Sequence, residues 1–128
     1  MSELIVKSLE QPEESRTPSE RGRIDMVALG ETTVGRATFE PGWRWSEDVK
    51  PHAGTELCEV THTGYVASGR QMVRMADGTE AELSAGDAYL IGPGHDAWVL
   101  GDEPCVTVDF SGTVRLVGTS AQAGGEGR

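Results

Sequence analysis

Glu56, Cys58 and His62 fall at even spacing within one run of the chain. In an extended strand successive side chains alternate between two faces, so residues of equal parity share a destination. Along Leu57 to Ala67 one face carries Cys58, Val60, His62, Gly64 and Val66; the other carries Leu57, Glu59, Thr61, Thr63 and Tyr65. Glu56 has the parity of Cys58 and His62. A carboxylate, a thiol and an imidazole would then look into one space, as a divalent metal centre requires. Thiolate with imidazole favours Zn²⁺, or an ion of similar softness such as Fe²⁺. His95, just after Gly92-Pro93-Gly94, is a candidate further ligand or a general base. A nucleophilic Cys58–His62 pair is not expected, because four residues at strand rise span roughly 13 Å, too far for direct proton transfer.

Blander readings of the same residues stay open. Unbridged cysteines are commonly small buried apolar residues, a description that suits Cys105 between Pro104 and Val106. His62 could be a core histidine satisfied by a carbonyl. His95 could cap its turn, with Asp96 setting the tautomer. Glu56, following Gly54-Thr55, could face solvent as most carboxylates do. His52, between Pro51 and Ala53, reads as a loop residue.

The elements that must position these groups are short strands. Ile24 to Leu29 and Thr33 to Phe39 are β-prone runs joined by a turn at Gly30-Glu31. Glu40-Pro41-Gly42 breaks the chain before Trp43-Arg44-Trp45. Leu57 to Ala67 is the longest β-rich run, followed by Ser68-Gly69 and Gln71 to Met75. Asp77-Gly78 is the strongest hairpin signal, joining Met72–Met75 to Glu80–Leu83. Turns at Ala85-Gly86-Asp87 and Gly92-Pro93-Gly94 bracket Ala88 to Ile91, and Ala97 to Leu100, Val106 to Phe110 and Val114 to Val117 complete the set. Many short strands without a helical period imply an all-β, antiparallel, closed or two-sheet architecture. Such an interior can hold one small ligand.

Composition agrees. The chain has 128 residues and a mass of 13.7 kDa, the size of one domain. Its 17 glycines suit many tight turns. A net charge of -10 repels polyphosphate backbones and anionic membranes, so neither nucleic acid nor a membrane is an expected partner. No apolar run is long enough to span a bilayer. The start, Met1-Ser2-Glu3-Leu4, lacks the pattern of a secretion signal, so a cytoplasmic protein with reduced thiols is expected. Three parts are expected: an extended N-terminal segment over 1–22, a barrel over 23–117 and a Gly/Ala/Ser-rich tail over 118–128.

The stretch from Gly42 to Trp98 resembles the cupin superfamily, single-domain antiparallel jelly-roll barrels (double-stranded β-helices). His62 stands seven positions before Gly69, where the first cupin motif has a Glu ahead of a Gly. Counting back places Glu56 and Cys58 where the motif has paired histidines. Gly86-Asp87-Ala88-Tyr89-Leu90-Ile91-Gly92-Pro93-Gly94 follows the second motif closely, with Gly92 for its first Pro and Ala97 where a ligand histidine would stand. The resemblance implies a metal site of Glu56, Cys58, His62 and His95 holding Zn or Fe. Trp43, Trp45, Tyr65, Met72, Ala97 and Trp98 would line a substrate pocket, with Ala97 leaving room for a bound molecule. It implies a divalent-metal-dependent enzyme acting on a small organic molecule by oxygenase, isomerase, lyase or cyclase chemistry, with His95 as ligand or general base. The alternative is a metal-free binding or sensory cupin. A homodimer is expected in either case.

Overall fold

The computed structural model describes residues 2–111. Nine strands are present among them: β1 (Glu14–Ser19), β2 (Gly22–Leu29), β3 (Thr32–Phe39), β4 (His62–Ser68), β5 (Arg70–Met75), β6 (Glu80–Ser84), β7 (Ala88–Ile91), β8 (His95–Leu100) and β9 (Cys105–Ser111). Every strand pairing is antiparallel. One sheet has the order β1-β2-β3-β9-β4-β7 and faces a second of order β6-β5-β8. Between them lies a core that includes Ile24, Met26, Phe39, Trp43, Trp45, Val66, Val73 and Val99. The architecture is the all-β, antiparallel, two-sheet one that the turn spacing allows, and it fits the jelly roll that the resemblance implies.

Several turns fall where their residues demand. Gly78 has φ +93°, a left-handed conformation that a side chain would strain, and it closes the β5–β6 hairpin. The Asp77 carboxylate accepts the Thr79 N–H across that turn. Three features differ from the sequence reading. Glu14–Ser19, inside the expected extended segment, is a strand paired with β2. Two single-turn helices follow Arg44, α1 (Trp45–Asp48) and α2 (Lys50–Ala53), in a region without helical periodicity. Asp48 begins that local order by accepting the Arg44 N–H, while Arg21 binds its other oxygen. Finally, β4 starts at His62, so Leu57 to Thr61 are not part of it. The expected strand Val114–Val117 and the tail over 118–128 lie outside the described residues.

The outer side of the large sheet carries a buried acid. Asp25 is 5% exposed and sits across from Ser15 on β1 and Arg36 on β3. Burial pushes its carboxyl up, but hydrogen bonds from Ser15 and Arg23, the Arg23 charge and a bond from Arg36 outweigh this. The carboxyl is held below its ordinary value. A lowered carboxyl contributes stability that is present above the unfolded value near 3.9 and is lost as pH falls through the folded one. Asp25→Asn should therefore cost about 1–3 kcal/mol at neutral pH. Urea midpoints should show that penalty shrinking in acid, below about pH 4.

Candidate metal centre

The site is built where the β4 start meets the β8 start. Cys58 is tied to His95 by backbone bonds in both directions: Cys58 N–H donates to the His95 carbonyl at 2.8 Å and His95 N–H to the Cys58 carbonyl at 3.1 Å. Gly94 N–H adds a second bond to the same Cys58 carbonyl at 2.7 Å. The Gly92-Pro93-Gly94 turn thus delivers His95 beside Cys58, and the segment after Cys58 bends into β4 to bring His62 to the same place. Cys58, His62 and His95 are all buried, and each presents a donor atom within 4.8 Å of the other two.

The proximity of Cys58 and His62 corrects one expectation. Cys58 Sγ lies 3.6 Å from His62 Nε2, because the chain between them is not extended strand. Alternation nevertheless survives in burial: Cys58, Val60, His62, Gly64 and Val66 are buried, while Glu59, Thr61, Thr63 and Tyr65 are exposed.

Both imidazoles are oriented from behind. His62 Nδ1 donates to Asp109 Oδ2 at 3.1 Å, and the other Asp109 oxygen accepts the Tyr89 hydroxyl. Asp109 is 1% exposed. His95 Nδ1 lies 2.7 Å from the Gly92 carbonyl, which can only accept, so the ring hydrogen is on Nδ1. In each ring the lone pair is therefore on Nε2. An anchored Nδ1–H with Nε2 turned to the ion is the usual arrangement of metal-binding histidines.

One donor pair can be compared with a tetrahedral zinc site. In a tetrahedral Zn²⁺ site, sulfur at about 2.3 Å and nitrogen at about 2.0–2.1 Å from the ion stand roughly 3.6 Å apart. The Sγ–Nε2 separation of 3.6 Å meets that value. The buried cluster can hold a metal ion. Beside it is a cavity of about 20 Å³ lined by Phe39, Trp43, Trp45, Gln71 and Tyr89 with His62, His95 and Ala97. That is room for about one water molecule.

The expected site residues divide cleanly in space. Cys58, His62 and His95 come together, with Trp43, Trp45 and Ala97 on the cavity wall. Glu56 stands apart, its side chain 89% exposed and paired with Lys50 at 2.9 Å. It precedes the bridge that ties Cys58 to His95, and no pairing fixes its parity. Tyr65 is exposed on the opposite face of β4. Met72 and Trp98 are cross-strand partners on the outward face of the small sheet, where Arg44 lies 4.2 Å above the Trp98 ring. Cys105 is a buried core thiol near Gln71, and neither cysteine is disulfide-bonded. His52 is exposed on α2.

Sequence reading missed Asp109 and Tyr89. Asp109 is a lone carboxylate within the apolar run Val106 to Phe110, at the parity of buried Cys105 and Thr107. A charge on the inward face of such a strand is the available signal.

No family model matches the chain, and no curated protein matches it. Solved structures do. A double-stranded β-helix protein from Klebsiella pneumoniae superposes with a TM-score of 0.55 at 22% identity, covering 84% of this chain and 89% of that one. KdgF from Halomonas sp. gives a TM-score of 0.55 at 22% identity, with coverage of 79% and 89%. A cupin-like protein from Thermotoga maritima gives 0.50 at 20% identity, with coverage of 71% and 68%. Among the described residues no helix is long and apolar enough to cross a membrane. With two facing antiparallel sheets and these neighbours, the chain has a double-stranded β-helix fold like that of cupin-like proteins.

Proposed function

We propose that this protein is a divalent-metal-dependent cupin enzyme acting on a small organic molecule, with Zn²⁺ or Fe²⁺ held by Cys58, His62 and His95. The observation that carries the reading is the convergence of one buried thiol and two back-anchored imidazoles. When bound, the metal supplies a Lewis acid or an oxygen site with a coordination position open to substrate. The chain supplies the rest. Asp109 and the Gly92 carbonyl fix the two rings. Phe39, Trp43 and Trp45 keep the interior nearly dry, which strengthens the electrostatic attraction between the ligands and the ion. Charge balance also favours a doubly charged ion, because the Cys58 thiolate and the Asp109 carboxylate together carry two negative charges. With Nδ1 committed to Gly92 and Nε2 to the ion, His95 serves as a ligand and not as a general base.

Elemental analysis of protein purified without added metal tests this. About one equivalent of zinc or iron per chain is expected. Less than about a tenth of an equivalent, with no uptake on addition, would remove the reading. Asp109→Asn keeps the side-chain shape but loses the charge behind His62, so metal affinity should fall about 10- to 100-fold in competition with a chelator dye.

A second reading has one observation in its favour. Cys58, His62 and Asp109 lie in the thiol–imidazole–carboxylate order of a nucleophilic triad, with separations of 3.6 and 3.1 Å. The 1% exposure of Cys58 and the second histidine on its flank favour the metal. Rapid alkylation of Cys58 in metal-free protein, with activity unaffected by chelators, would reverse that order.

A further inference from the structure

The two sheets do not close over the whole interior. β6 ends the small sheet and β7 ends the large one, and no backbone ladder joins them. Strand alternation aims Met75 on β5, Ala81 and Leu83 on β6, and Tyr89 and Ile91 on β7 at the space between the sheets. Yet Ala81 is exposed, and Met75, Tyr89 and Ile91 are only half-buried. The gap is a cleft of about 480 Å³, bounded on the β7 side by Leu90 as well. That volume lies within the range of small-molecule sites. Tyr89 and Ile91 also wall the 20 Å³ cavity beside the metal cluster, so cleft and cavity share one partition.

These dimensions decide where an organic molecule can sit. The inner cavity admits a water-sized group and nothing larger. The cleft beyond the partition has the volume that the cavity lacks. Its inward walls are mainly aliphatic, with the Tyr89 ring among them, and the carboxylate at its edge, Glu80, opposes an anionic ligand.

We infer that the cleft between β6 and β7 is the ligand site, taking an uncharged, mainly apolar small molecule. Its polar end passes Tyr89 and Ile91 to meet the Cys58–His62–His95 cluster. The polar-end half of this inference rests on the metal reading above; the cleft half does not.

Two probes test the halves separately on the full chain. N-phenyl-1-naphthylamine, an uncharged apolar fluorophore, should bind the wild-type protein with enhanced emission. Ala81→Trp, which fills the cleft opposite Val73, should abolish the signal. Leu90→Lys should weaken it while leaving folding intact, since Leu90 is 74% exposed. Metal content should be unaltered in both variants. An n-alkanol series, whose hydroxyl is water-sized, should bind the loaded protein about 4-fold more tightly per added methylene until the cleft is full. That increment should vanish in Ala81→Trp. Absence of fluorophore binding to the wild type, or binding by both variants as tight as that of the wild type, overturns the cleft. Fluorophore binding by a protein that takes up no metal supports the cleft and defeats the metal reading alone.

Discussion

His62→Ala should purify without metal, take none up on addition, and melt roughly 10–20 °C below the wild-type apoprotein. The first effect follows from the cluster, because losing one of three converging donors leaves Cys58 and His95 with too few ligands for a structured site. The second follows from the other side of the ring. His62 Nδ1 donates to Asp109, a carboxylate only 1% exposed. Removing the ring takes one hydrogen-bond donor from a buried carboxylate that keeps Tyr89 as a partner and leaves a cavity in the core, together costing about 3–5 kcal/mol. For a domain of this size that corresponds to about 4 °C per kcal/mol. A control follows: adding Asp109→Asn to His62→Ala removes the buried charge that has lost one of its donors, so the double variant should melt above the single one. A double variant that melts far below both singles would show that the pair is not coupled in this way. Differential scanning calorimetry of the four metal-free proteins completes the cycle.

Gly64→Ala should be strongly disruptive for a single added methyl. Gly64 lies on β4 between β7 and β9, opposite Asp109 and Tyr89. A Cβ built there would stand 2.0 Å from the Val108 carbonyl oxygen and 2.8 Å from Asp109 Oδ1. The first neighbour is backbone in the centre of a sheet and cannot rotate away, so β4 and β9 must part. Overpacking of this kind costs about 3 kcal/mol or more. The second neighbour is the carboxylate that anchors His62, so metal affinity should fall together with stability. Gly92→Ala, where an added Cβ meets nothing within 4 Å, should stay within about 0.5 kcal/mol of wild type. Equal stabilities for the two variants would contradict the close approach of β4 and β9.

The contrast between these two glycines shows what a sequence can and cannot display. Turn chemistry is local, and so Asp77-Gly78 and Gly92-Pro93-Gly94 announce a hairpin and the approach to His95 directly. Alternation is local too. It puts Cys58 and His62 on the inner face and, read consistently, puts Tyr65 on the outer one. Glu56 escapes this logic because it precedes the bridge that ties Cys58 to His95, and no pairing fixes its parity. Met72 and Trp98 miss the cavity because their strands, β5 and β8, turn Gln71, Val73, Ala97 and Val99 inward instead. The single-turn helices after Arg44 are held by Asp48 and Arg21, a contact 27 residues long in sequence that no local pattern reports.

Asp109 is the deepest omission and the most instructive. Its role depends on β9 inserting between β3 and β4, an order that strand propensities do not specify. Only that insertion brings residue 109 behind the ring of residue 62. The bend after Cys58 is equally hidden, and it shortens an expected span of roughly 13 Å at strand rise to a contact of 3.6 Å. What the chain displays locally is therefore the donor types and their inward face. What it conceals is the nonlocal packing that makes them converge.

Cobalt(II) titration of the metal-free protein reaches the central claim most directly, since a bound thiolate gives a near-ultraviolet charge-transfer band that carboxylate or imidazole ligands do not. Saturation at one ion per chain is expected, with that band present in the wild type and absent in Cys58→Ser. A titration without an endpoint, or a band that persists in Cys58→Ser, would contradict a metal centre built on Cys58, His62 and His95.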